Sequence, residues 1–265
     1  MNLKTGLATA LVAAVVAALV TAATIALIWR LAPGVVNVSS FDERRVVNVV
    51  RDYLTKNPEI LVEMTTELDK RQAAEQAEKQ QKVVGDNAEA IFRSPLAHTG
   101  GNPNGDVSVV EFFDYNCGFC KRALPDVLKL AQNDDKVRIV LKELPIFGEE
   151  SEGAAKAALA AAKQGKYFDM YQKLFTEPGK ADKDKAMRIA EELGLDKTKL
   201  EKDMQDPEVQ KSLDEAKELA TKLGLQGTPL FLVGDRIIPG APDDLYDQLS
   251  QKVTEVREKG CKFTC

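Results

Sequence analysis

The sequence predicts an α/β domain with an inserted helical domain, preceded by a helical stalk and an N-terminal transmembrane helix. Three observations predict it. A run of β-formers, Val107 to Phe113, hands over to an amphipathic helix at Cys117-Gly118-Phe119-Cys120. An almost unbroken helical tract, Glu149 to Gly224, separates that unit from a later strand pair. The segment Phe41 to Phe92 reads helical and lies between the domain and an uncharged N-terminal stretch. The expected division is residues 1–30 as membrane anchor or signal segment, 31–95 as stalk and oligomerisation region, and 96–265 as the α/β domain.

Composition narrows the function. The chain has 265 residues, 44% of them hydrophobic, and a net charge of −5. That content supports a packed core and excludes a wholly disordered chain. The mildly acidic body has no basic footprint for nucleic acid. The one histidine, His98, excludes a multi-histidine metal site within one chain. It stands in a turn-like Ala97-His98-Thr99-Gly100-Gly101 segment, and no exposed-serine motif accompanies it.

Thr5 to Trp29 is a stretch of 25 residues without a charge. A bilayer-spanning helix needs about 20 apolar residues, a secretory signal only about 7–15. Length therefore favours an uncleaved anchor, and Trp29-Arg30 suits a headgroup interface. Thr21-Ala22-Ala23 leaves a cleaved signal as the alternative. Arg30, Arg44 and Arg45 do not favour export by charge, so the body is placed outside the cytoplasm on its cysteine chemistry.

Within the stalk, Val47, Val50, Leu54, Leu61, Met64 and Leu68 repeat at heptad-like spacing. Asn57-Pro58 interrupts them, with Asn57 suited to an N-cap and Pro58 to a first helical position. Residues 71–82 are polar nearly all round, which suits a solvent-bridging helix. This pattern predicts a homo-oligomer through residues 41–92; an amphipathic pair packed on its own domain is the other reading. Gly100 to Gly105 is dense in turn residues and reads as a linker.

The domain elements follow in order. Val107 to Phe113 is a strand, Gly118 to Ala131 a helix with Leu124, Val127, Leu128 and Ala131 on one face, and Val137 to Leu141 a second strand. After the insertion, Gly227-Thr228-Pro229 leads into a strand at Leu230–Val233. Gly234-Asp235 is a hairpin turn, Arg236–Ile238 returns, and a last helix spans Pro242 to Lys259.

Cys117 thus falls where a strand becomes a helix. Unpaired N–H groups there carry partial positive charge, which stabilises a thiolate and lowers its pKa below about 8.5. Cys120, one turn on, is placed to attack a mixed disulfide. Cys117 is read as the exposed nucleophile and Cys120 as the buried resolving thiol. The alternatives are half of a zinc site, completed by Cys261 and Cys265, or a structural disulfide. For Cys261 and Cys265 a local accessory disulfide is the first reading, and a free or intermolecular pair the second.

Together these features resemble the thioredoxin superfamily, and within it the DsbA-like branch. The resemblance rests on Glu111-Phe112-Phe113 entering the cysteine pair, on the helical insertion and on Gly227-Thr228-Pro229. It implies a thioredoxin fold, a cis Pro229 beside the disulfide, and substrate peptide held along Gly227, Thr228 and Phe119. It also implies Glu111 as a buried acid relaying the proton of Cys120, with Lys142 as its partner. Pro125 matches the proline that kinks the active-site helix. Gly118-Phe119 replace the Pro-His of DsbA oxidases, which removes an imidazolium and lowers oxidising power. Thr228, and Asp52 to Leu61, are closer to ScsC-like disulfide isomerases.

The expected function is therefore an extracytoplasmic thiol–disulfide oxidoreductase without cofactor or metal, leaning to isomerase or reductase. A disulfide-introducing oxidase is the alternative. Its expected partners are unfolded or misdisulfided proteins and a membrane redox protein. A Cu(I)-binding thiol protein and a redox-inert holdase are the readings from other classes. Phe119 is either an exposed client contact or packed on the domain.

Overall fold

The structure is a computed structural model that describes residues 16–28, 30 and 43–263. The chain divides into two compact units, Met1–Arg71 and Gln72–Cys265.

In the first unit residues 16–28 are helical (α1). Among the described residues no helix is long and apolar enough to cross a membrane, so the expected transmembrane helix is not supported. Much of the predicted span, residues 5–15 and 29, lies outside the described residues. Helix α2 (Glu43–Lys56) is followed by α3 (Glu59–Asp86), whose first turns belong to this unit. Asn57 does break the two helices apart, but not as an N-cap. Its side-chain amide donates to the Tyr53 carbonyl at 2.8 Å and so closes the end of α2. Val47, Val50, Leu54, Leu61, Met64 and Leu68 are all exposed.

The second unit is built on a five-stranded sheet of order β1-β3-β2-β4-β5. The strands are β1 (His98–Gly101), β2 (Val107–Phe113), β3 (Val137–Glu143), β4 (Leu230–Val233) and β5 (Arg236–Pro239). β2 and β3 are parallel, and the other pairings are antiparallel. The expected linker is a correction: its first residues, with His98, form edge strand β1, Gly100 facing Ile139. Cross-strand pairing overrides the local turn propensity of the glycines.

Helices cover both faces. α5 (Gly118–Asn133), α6 (Glu149–Ala161), α7 (Tyr167–Thr176), α8 (Lys183–Glu192), α9 (Lys197–Asp203) and α11 (Leu245–Lys259) share one core with Val109, Phe113, Ile139 and Phe231. The end of α3, α4 (Ala88–Phe92) and α10 (Pro207–Lys222) share the other with Val110, Phe112, Val140 and Leu232. Two covered faces explain why β2 is buried at every position, Ser108 and Glu111 included. Each large side chain buried there contributes about 1.5–3 kcal/mol.

Local signals set the insertion's boundaries. Asp182, Asp196 and Asp206 each accept a backbone N–H at the start of α8, α9 and α10. Pro207 then takes a first-turn position. Gly234 (φ 58°) turns the β4–β5 hairpin, in a conformation that other residues rarely adopt. Residues 72–92 contribute to the second unit as well: Val84, Ile91 and Phe92 are fully buried in its core. Gly85 lies so close to Phe263 that a Cβ there would stand 2.3 Å from its ring.

Candidate active site

Period-two alternation decides which side chains reach the site. Val107, Val109, Glu111 and Phe113 point to the α5 face of the sheet, with Val110 and Phe112 on the other. At the end of β2, Asp114-Tyr115-Asn116 forms a turn closed by Cys117 N–H donating to the Asp114 carbonyl at 3.0 Å. Cys117 has extended backbone angles and is the N-cap of α5. Its thiol, when protonated, donates to the Thr228 carbonyl at 3.2 Å, across the loop that carries the cis Thr228–Pro229 peptide.

The exposure of Cys117 differs from the sequence expectation, while Cys120 is buried as expected. Cys117 is only 4% exposed and Cys120 is fully buried. The loop bearing Thr228 covers Cys117, which no local pattern in the sequence states. Phe119 between them is 58% exposed, with the Arg122 guanidinium 4.9 Å from its ring centre. That settles its placement as outward rather than packed.

The two thiols have opposite proton affinities. Cys117 is lowered to about 5, chiefly by the hydrogen bond from the Cys120 thiol; burial opposes this, and a hydrogen bond from Thr228 and the backbone N–H groups of Cys120 and Phe119 add to the lowering. Cys120 is pushed far up by burial, by its bond to Cys117 and by the Glu111 carboxyl. At neutral pH the pair holds a thiolate at Cys117 and a thiol at Cys120. Alkylation by iodoacetamide is expected to follow Cys117 with a midpoint near pH 5, and Cys120 is expected to stay unmodified through neutral pH. Mass mapping of the alkylated peptides against pH checks both.

Glu111 is buried on the same face, between Leu141 and Phe231 in register. Its Oε2 accepts from the Tyr171 hydroxyl at 2.9 Å, and its Oε1 has no hydrogen-bond partner. Burial pushes its pKa up to about 8, with the Tyr171 bond opposing and the Cys117 charge adding. The thiol pair therefore faces an acid that is mostly protonated at neutral pH. Lys142 is not its partner. It points to the opposite face, where its ammonium reaches Glu215 at 2.6 Å and the Ala90 carbonyl at 2.7 Å. Neighbours on one strand face opposite ways, so Glu111 and Lys142, in registers one residue apart, are separated by the sheet.

Several supporting residues carry no local signal. The buried Asp114 carboxylate accepts from Asn116 N–H (2.7 Å), the Ser151 hydroxyl (2.8 Å) and the N–H groups of Ile146 (2.7 Å) and Phe147 (3.2 Å). Asn116 exchanges two bonds of 2.8 Å with the Ala181 backbone. Together they tie the turn before Cys117 to the β3–α6 loop and the insertion. Glu143 is a second buried acid, raised well above its usual range by burial, and it accepts from the Tyr115 and Tyr167 hydroxyls. Apart from the Asp114–Asn116 turn, these partners lie 24 to 65 residues apart, too far for a local sequence pattern to pair them.

A groove of about 510 Å³ opens beside the thiols, with Phe119, Gly227, Thr228 and Pro229 in its wall. His98 is distant in role: it packs on Tyr167, 4.5 Å between ring centres, and burial lowers it to about 4. Cys117 and Cys120 are free thiols, and Cys261 is held in a disulfide. Cys265 lies outside the described residues. Among the described residues no group of three or more His, Cys, Asp or Glu is arranged to hold a metal ion.

Comparison with known proteins agrees with this geometry. Residues 108–253 match the DSBA-like thioredoxin domain family, and residues 42–75 match the copper resistance protein ScsC N-terminal domain. A thioredoxin-like oxidoreductase from Silicibacter pomeroyi is 46% identical, with a TM-score of 0.63 over 65% of this chain and 98% of that one. The Proteus mirabilis ScsC structure in a transitional conformation is 32% identical, with a TM-score of 0.62 over 84% of this chain and 100% of that one. Among curated proteins, the Na(+)/H(+) antiporter NhaA 3 of Salinispora tropica is 30% identical over 141 residues, 52% of this chain. The chain spans only 22% of that relative's length.

Proposed function

The chain belongs to the DSBA-like thioredoxin family, and from that premise we propose that it is an extracytoplasmic thiol–disulfide oxidoreductase acting on protein disulfides, in the isomerase or reductase direction. The observation that carries this reading is the split proton affinity of the two thiols, one at the α5 N-terminus and one buried behind it. The Cys117 thiolate attacks one sulfur of a client disulfide. The client S–S bond breaks, its other sulfur leaves as thiolate, and Cys117 is left in a mixed disulfide. Either the client's own thiolate then reattacks, which is isomerisation, or Cys120 does. In the latter case Cys120 must lose a proton, and Glu111 in its carboxylate form is the acceptor on the same face of β2. Pro229, Thr228 and Gly227 hold the client's backbone beside Cys117.

Two features support the direction. A reduced pair with a stable Cys117 thiolate is the form an isomerase needs. The exposed apolar seam Val47 to Leu68 supports oligomerisation through residues 41–92, which brings several sites to one client. The same low Cys117 pKa also favours the reduced over the disulfide form, so it supports an oxidase as the second reading. An isomerase requires a membrane donor that keeps Cys117 reduced; an oxidase requires one that reoxidises it. The relatives' periplasmic setting, as for the Salmonella enterica thioredoxin-like protein, supports placement outside the cytoplasm.

Insulin reduction run beside refolding of scrambled ribonuclease tests the reading. Recovery of ribonuclease that needs Cys117 supports an isomerase, and dithiol oxidation without recovery supports the oxidase. Leu54→Glu with Leu61→Glu, both on exposed positions, is expected to reduce the sedimenting mass to a single chain. The same double variant is expected to lose most ribonuclease recovery and to keep insulin reduction. Recovery unchanged in a single-chain species would refute the role given to the stalk.

A further inference from the structure

The groove beside Cys117 has one wall that the thioredoxin core does not supply. Gln80 comes from α3, upstream of the first strand, and faces the same groove as Phe119, Arg122 and Pro229. Its Nε2 donates to the Leu223 carbonyl at 3.2 Å, just past the end of α10, which fixes the amide at that wall. The rest of the lining is glycine, proline, alanine and leucine, with Gln226 and Thr228 as its uncharged polar members. Arg122 is the one ionised side chain among the described lining residues, and no carboxylate faces it across the groove. The guanidinium is held in place by the Ala241 carbonyl at 2.6 Å and by the Phe119 ring.

We propose that Gln80 and Arg122 select the residues flanking the client cysteine, and that the groove takes an extended segment with an acidic residue beside that cysteine. This rests on the oxidoreductase reading above. The groove is continuous with the Thr228–Pro229 loop over Cys117, so a chain in mixed disulfide with Cys117 runs into it. An apolar channel with one cation and no anion raises the affinity of a neutral or acidic segment and lowers that of a basic one. Gln80, uncharged and in the same lining, is where that balance is most easily altered.

The test uses the full chain, with glutathione as the reductant that regenerates the Cys117–Cys120 dithiol, and two disulfide-linked peptides, one with Asp and one with Lys beside the cysteine. Wild type is expected to prefer the acidic peptide by about five-fold in kcat/KM at low salt. Gln80→Lys is expected to widen the preference, and Gln80→Glu to shift it by about five-fold toward the basic peptide, through KM rather than kcat. Gln81→Glu adds the same charge one residue on, where the side chain pairs with Lys262. It is expected to leave the ratio as in wild type. An equal ratio in wild type, Gln80→Lys and Gln80→Glu would overturn the proposal, as would an equal shift in Gln81→Glu. Reduction of 5,5′-dithiobis(2-nitrobenzoate), which needs Cys117 but no groove, is followed in parallel. Loss of that activity in wild type would instead overturn the oxidoreductase reading.

Discussion

Cys117→Ser is expected to reduce disulfide exchange to the uncatalysed background, whereas Cys120→Ser is expected to leave the first attack intact and stop after it. The two residues are three apart and chemically alike, so the difference is environmental. Cys117 sits at about pKa 5 and is ionised at neutral pH, while burial holds Cys120 as a neutral thiol. Serine at 117 has no ionised form near neutral pH and offers no thiolate. Serine at 120 leaves Cys117 without its resolving partner, so a mixed disulfide accumulates at about one client per chain. Cys120→Ala, which has no side-chain donor, removes the Cys120 bond that contributes most to lowering Cys117, so there the alkylation midpoint of Cys117 should rise above 5. Intact-mass measurement after mixing with a disulfide peptide reads the trapped adduct. Equal trapping by both variants would exchange or dissolve the two roles.

The second large effect is expected at Glu111. Its folded pKa is about 8 against 4.5 as the reference for the unfolded chain. Because the folded value is raised, the folded state binds the proton more tightly. The associated stability is fully present below pH 4.5 and is lost as pH rises toward and through 8. Over that window the Glu111 contribution to the stability of the reduced protein should fall by about 4 kcal/mol, at about 1.4 kcal/mol per pH unit, while the depressed Cys117 contributes with the opposite sign. Glu111→Gln removes this titration, so the unfolding free energy of the variant relative to wild type, read by urea titration, should rise steadily from pH 4.5 to 8. The same slope in both proteins would show that another group carries it. Tyr171→Phe should raise the Glu111 pKa further, since the Tyr171 bond is what opposes burial. In function, Glu111→Gln should slow the Cys120 resolution step and spare the initial attack, which stopped-flow fluorescence of a client adduct separates.

Most of the α/β domain was legible along the chain because its signals are local. The strand Val107–Phe113, the C-x-x-C at a helix start, the helical character of the insertion, and the Gly234 hairpin each depend on neighbours a few residues apart. β1 was not legible. Thr99-Gly100-Gly101 carries turn residues, and only pairing with Val140, Ile139 and Arg138 makes it a strand. Lys142 failed for the same kind of reason. Adjacency of two strands was readable, but the register that sends Lys142 to Glu215 and leaves Glu111 with Tyr171 is set by the sheet. Asp114, Ser151, Asn116 and Glu143 are ordinary residues in the sequence and become a network only when three separate segments meet.

What the sequence determined by itself is the class of chemistry: two cysteines at a strand-to-helix junction, the first of them at a helix N-terminus, and an acid six residues before it on the strand that leads in. Hydrogen-bond geometry at a helix N-terminus and the two-residue strand period are short-range, so they survive without knowledge of the rest. What only the tertiary structure decided is the environment of those groups. It covers Cys117 with the Thr228 loop, seals Cys120 and Glu111 from water, turns Phe119 outward, and brings Gln80 of α3 to the groove. Desolvation and long-range charge depend on everything that packs around a group, and that sum exists only once the chain has folded.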